Sequence, residues 1–82
     1  ATTPQPDYEE RAIIAYVVWL REECGLSWRK VSDAVERRLA AKDGRLSVPA
    51  YEGDSARRFG RMRCLRAYHA AKELNIQPAS SF

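Results

Sequence analysis

The chain has 82 residues, with 14 Lys and Arg against 11 Asp and Glu, for a formal charge of +3. That length suits one small domain with a single core. The longest apolar run, Ala12 to Leu20, falls well short of the roughly 18 residues a membrane span needs, so no membrane partner is expected. No positive segment precedes an apolar one at the amino terminus, which argues against a signal peptide. Because the chain does not begin with Met, it is expected to be a processed product or an excised domain; the expected location is the cytoplasm, at the nucleoid if the chain binds DNA.

Residues 1–7 carry Pro4 and Pro6 and little to bury, and are expected to form a flexible arm before a helical domain at 8–76. Asp7 offers an amino-terminal cap, with Glu10 at the third helical position of a capping box. Glu9 and Glu10 also suit the positive end of a helix. A first helix is predicted from Tyr8 to Glu23. Ile13, Val17, Leu20 and Cys24 form one stripe, while Ile14, Val18, Tyr16 and Trp19 make the other sides apolar too. A helix apolar all round must be covered all round. Two arrangements would do this: a central position in the bundle, or an oligomer interface formed by Ile14, Val18 and Trp19.

Gly25 then ends the helix as a glycine in the left-handed region would, and Ser27 caps a second helix predicted from Trp28 to Ala41. Trp28, Val31, Val35 and Leu39 form its buried stripe. Arg29, Lys30, Asp33, Glu36 and Arg37 are expected to face solvent, with Arg37 and Arg38 pairing to Asp33 and Glu36. Residues 44–54 read as a long loop, in which Pro49 argues against a paired strand. A third helix is predicted from Ser55 to Asn75, capped by Asp54 or Ser55, anchored by Leu74 and Ile76, and stopped by Pro78. Residues 77–82 read as a tail. The expected fold is all-α, with three helices.

The two cysteines, Cys24 and Cys64, are expected to be reduced thiols, one or both in the core, since a disulfide framework in so small a domain would usually have more. With His69 they lack the paired spacing of a zinc site, so neither a metal nor a cofactor is expected. His69 and Glu73 read as a surface pair rather than a catalytic dyad. No phosphate-cradling glycine loop or activated nucleophile is visible, so the chain is not expected to be an enzyme or to take a small-molecule substrate.

The charge is unevenly placed. From Ser55 to Lys72 the chain carries Arg57, Arg58, Arg61, Arg63, Arg66 and Lys72 with no acid between them, and the remainder nets −3. An exposed helix normally mixes signs so that residues four apart attract. An unmixed run on one helix is the electrostatic footprint of a polyanion reader. At about 100° per residue, Arg57, Arg58 and Arg61 share one sector, with Phe59 opposite and Ala56 and Met62 flanking it. Arg63 and Arg66 lie nearer Phe59 and are the second choice. Ser55 and the helix amino terminus would bind a phosphate. Arg29, Lys30 and the loop residue Arg45 would add backbone contacts.

Gly25-Leu26-Ser27-Trp28, followed by the basic pair Arg29-Lys30 and then Val31, resembles the turn in helix-turn-helix DNA-binding domains, notably those of site-specific recombinases and resolvases, transposases and phage small terminase subunits. The likeness runs from Ile13 to Leu39 and more loosely over Ser55 to Tyr68, where such a family would have its recognition helix. It implies a helix-turn-helix-like fold and a duplex DNA partner, bound as a dimer or larger oligomer in transcription regulation, recombination or mobile-element function. The loop at 44–54 is longer than the usual turn before a recognition helix, and there is no room for a catalytic domain. Two other functions fit the residues: a helical module docking on an acidic protein, and an RNA binder.

Overall fold

A computed structural model describes residues 8–42 and 58–80. They form three helices: α1 over Tyr8–Glu22, α2 over Trp28–Lys42 and α3 over Arg61–Leu74. No strand occurs among the described residues, and the all-α fold is as expected. The expected arm and the loop at 44–54 lie outside the described residues, as do Arg45, Ser55 and Arg57.

The turn between α1 and α2 forms where the sequence places it. Gly25 has φ +66°, a left-handed conformation that costs a residue with a side chain about 1 kcal/mol or more. Around it, the N–H groups of Glu23 and Cys24 donate to the Trp19 carbonyl, and Leu26 N–H donates to the Leu20 carbonyl at 3.2 Å. These bonds satisfy carbonyls that the helix end would otherwise leave open. Ser27 caps α2: its carbonyl accepts from Val31 N–H at 2.9 Å, and its hydroxyl oxygen lies 3.4 Å from the Lys30 nitrogen. Arg21 adds a bond from its guanidinium to the Leu26 carbonyl at 2.8 Å.

The third helix begins later than expected, at Arg61 rather than Ser55. Gly60 is its amino-terminal cap, with extended backbone at φ −71° and ψ 179°, and Arg58 and Phe59 form a turn before it. At its far end Asn75 adopts the left-handed region at φ 55°, and the N–H groups of Asn75 and Ile76 both donate to the Ala71 carbonyl. The chain then returns to α1, where Ala79 N–H reaches the Ala15 carbonyl at 3.2 Å. Part of the expected tail is thus docked on the bundle.

Each helix packs on the other two. Trp28 meets Tyr68 while Ser32 and Glu36 meet Phe59, so α2 runs antiparallel to α3. The core joins Ile13, Val17 and Leu20 to Val31, Val35 and Leu39, with Cys64, Ala67 and Ala71 supplied by α3. The small residues on α3 let its backbone approach closely, since they hold no bulk between the helices. Ile14 and Val18 are only 5% and 1% exposed within this single chain. Of the two arrangements expected, cover by the chain's own elements is the one seen for Ile14 and Val18. Trp19 remains half-buried, stacked on Tyr16 with ring centroids 6.0 Å apart. Cys64 is buried and Cys24 exposed, both free thiols.

Candidate nucleic-acid interface

Phe59 is the pivot of the basic region. Its backbone is held from α2 on both polar groups. Glu36 Oε1 accepts from Phe59 N–H at 2.7 Å, and Ser32 Oγ donates to the Phe59 carbonyl at 2.7 Å. The Cys64 thiol approaches the same carbonyl at 3.6 Å. Ser32 and Glu36 sit one turn apart on α2, which places both side chains on one face. Sequence reasoning expected Glu36 in solvent; it is 3% exposed. Pinning Phe59 fixes where α3 starts, because the residue before Gly60 cannot rotate into the helix without breaking both bonds.

The Phe59 ring is equally engaged. The Arg63 guanidinium carbon lies 5.0 Å from its centroid and that of Arg58 5.8 Å. Two like charges are thus drawn to one buried ring, each attracted by the negative face of its π system. A site that gathers guanidiniums in this way favours an anion nearby. Arg58, Arg63 and Arg66 are all exposed and line one groove between α1 and α3.

The groove joins Arg63 and Arg66 to Arg58 of the sector expected first. The sector of Arg57, Arg58 and Arg61 presumed a helix running through all three. With α3 starting at Arg61, Arg58 precedes the helix. Arg61 lies about 200° around the helix from Arg63, whereas Arg63 and Arg66 lie within about 60° of each other. The pair ranked second joins Arg58, and Arg61 opens the helix on the other flank. Arg29 and Lys30 are exposed at the start of α2. They flank Trp28, which packs on Tyr68, and do not line the groove of Arg58, Arg63 and Arg66.

Around Tyr68 a second polar cluster forms. Glu22, at the end of α1, accepts a hydrogen bond from the Tyr68 hydroxyl at 2.8 Å and pairs with the Lys72 ammonium. The hydrogen bond from Lys72, then that from Tyr68, holds the Glu22 carboxyl below its usual range. The same bond raises the Lys72 ammonium above its own. Lys72 also lies over the Tyr68 ring at 5.1 Å. Its charge, counted in the basic run, is therefore matched by Glu22, and the positive field centres on the arginines nearer the start of α3. Trp28, expected in the core, is half-buried here, its ring edge against Tyr68 at 5.5 Å and the Arg21 guanidinium 4.6 Å from its centroid.

His69 is exposed beside Tyr68 at 5.9 Å between ring centroids. Among the described residues no cluster of His, Cys, Asp and Glu is arranged to hold a metal, and no helix is long and apolar enough to cross a membrane. No protein-family model matches the chain, and neither does any curated protein or solved structure.

Proposed function

We propose that this chain is a duplex DNA-binding domain whose contact edge is the start of α3. The observation that carries the reading is the gathering of Arg58, Arg61, Arg63 and Arg66 within nine residues, all exposed and without an intervening acid. Arginine supplies donors in a planar fork that suits both phosphate oxygens and the guanine edge. The clamp on Phe59 supports the reading, since it holds the approach to this edge rigid before any ligand arrives, and a contact surface on a fixed element loses less entropy on binding. The resemblance of the Gly25 to Ser27 turn to helix-turn-helix domains supports it from the sequence side. The role is one of binding, with no residue assigned to catalysis. If the chain acts as a dimer, half-buried Trp19 and Tyr16 are apolar residues of α1 that can contribute, and it would work at the nucleoid.

A labelled duplex titrated at several salt concentrations tests this. Four arginines on phosphates would give a log–log salt slope of about −3 to −4. Absence of binding at about 50 mM salt refutes the reading. Stronger competition by structured RNA than by duplex DNA would turn it toward RNA.

A further inference from the structure

The groove that Arg58, Arg63 and Arg66 line is open, has a volume of about 590 Å³, and is walled on its other side by α1. Its floor is not polar: Ile14, Phe59, Ala67 and Ala70 form it. Met62, among the described residues the large hydrophobic one most open to solvent at 58% exposure, stands at its lip. Glu10 stands on the α1 wall, and a side pocket of about 160 Å³ continues toward Glu9.

We propose that this groove docks an acidic protein segment bearing one apolar anchor residue, and that such a segment competes with nucleic acid for Arg63 and Arg66. The docking stands on the groove alone; the competition rests on the DNA-binding reading above. Charge complementarity picks the occupant. Three guanidiniums along one wall call for carboxylates or phosphates. A phosphodiester backbone can use the arginines but has nothing to place on the apolar floor. An acidic peptide meets both conditions, with carboxylates beside the arginines and a leucine or phenylalanine over Ala67 and Ala70, where the small side chains leave room. Any basic group on the segment would find Glu9 in the side pocket. Arg58 and Arg63 are already gathered at the Phe59 ring, so less freedom is lost when a carboxylate arrives. Met62 is the adaptable side chain that such surfaces use to fit an apolar anchor.

The test uses the full chain and a short fluorescein-labelled peptide of glutamates around a central leucine, read by anisotropy at about 50 mM salt. Saturable binding is expected, weakened about tenfold when the peptide's leucine is replaced by serine. Met62→Ser, at an exposed position, should weaken the peptide while leaving duplex affinity unchanged. Ala70→Trp fills the groove and should abolish peptide binding with the arginines still in place, its circular dichroism confirming the fold. If that variant does not fold, Met62→Ser decides. Arg63→Glu should weaken both ligands, and the peptide should displace bound duplex. No saturable peptide binding, equal affinity for the serine peptide, or unchanged affinity in Met62→Ser overturns the docking. Peptide binding without displacement of bound duplex overturns the competition. Peptide binding as expected with no duplex binding would leave the docking intact and remove the DNA-binding reading.

Discussion

The carboxylate of Glu36 on α2 and the backbone N–H of Phe59 are joined by a 2.7 Å hydrogen bond across the interior of the bundle. With Ser32 on the Phe59 carbonyl, α2 satisfies both polar groups of a residue that belongs to no helix. A buried donor left without its acceptor costs about 1–3 kcal/mol. Glu36→Ala should therefore lower the urea-unfolding free energy by about that amount, and should speed hydrogen exchange at the Phe59 amide. Glu36→Gln keeps an acceptor oxygen and should cost less. An unchanged midpoint in Glu36→Ala would mean that the clamp contributes nothing.

The burial of Ile14 and Val18 makes a separate prediction. If they belong to the chain's own core, truncation destabilises the folded monomer. Ile14→Ala should cost about 2–5 kcal/mol, at the lower end because the residue borders the groove. The loss should be the same at every protein concentration. A midpoint difference that grew or shrank with concentration would instead show that a subunit contact had been cut.

Much of this arrangement was legible in the sequence, and the exceptions have a common cause. Helices α1 and α2 follow from apolar spacing, and their junction from Gly25 and Ser27, because these depend on neighbours in the chain. The start of α3 does not. Asp54 and Ser55 are good caps by composition, but the boundary is set by Ser32 and Glu36, more than twenty residues earlier. The available clue was a Ser and a Glu four apart beside the Val31 and Val35 row, and a lone Glu next to an apolar stripe ordinarily faces water. The choice between a central α1 and a subunit-facing one was likewise a question of packing, which periodicity alone leaves open. The Glu22, Tyr68 and Lys72 cluster joins residues 46 and 50 positions apart, and nothing local announces it.

That cluster gives a pH dependence with a defined sign. The Glu22 carboxyl is held below its ordinary range by Lys72 and Tyr68, so it binds its proton more weakly when folded than when unfolded. Its stabilising contribution is present above the unfolded value and disappears as pH falls through the folded one. Lys72, raised by the same contact, contributes below its unfolded value and loses that contribution as pH rises through the folded one. Wild type should melt above Glu22→Gln at neutral pH. The gap should close on acidification below the usual glutamate range, and wild type should also lose stability at strongly alkaline pH. Both groups are solvent-facing, so the gap should shrink with added salt. Parallel melting curves for the two proteins down to strongly acidic pH would contradict the assignment.

The placement of the arginines predicts an order of effects on nucleic-acid binding that differs from the one the sequence suggests. Arg58, Arg63 and Arg66 line one groove, so a single ligand can engage all three. Each one replaced by alanine should weaken duplex binding and reduce the salt slope by about one unit. Double replacement of Arg63 and Arg66 should depart from the sum of the singles if both hold the same phosphate run, because residues sharing a partner do not act independently. Arg61, on the other flank, should give a smaller loss. Arg29 and Lys30 lie beside Trp28 in the first turn of α2 and do not line that groove. Replacing both with alanine should leave affinity within about twofold, the noise level of a rim charge at moderate salt. The measurement is anisotropy on one duplex with each variant across a salt series. If Arg29 and Lys30 cost more than Arg63 and Arg66, the contact face is the turn between α1 and α2, and the arginines of α3 serve the acidic segment alone.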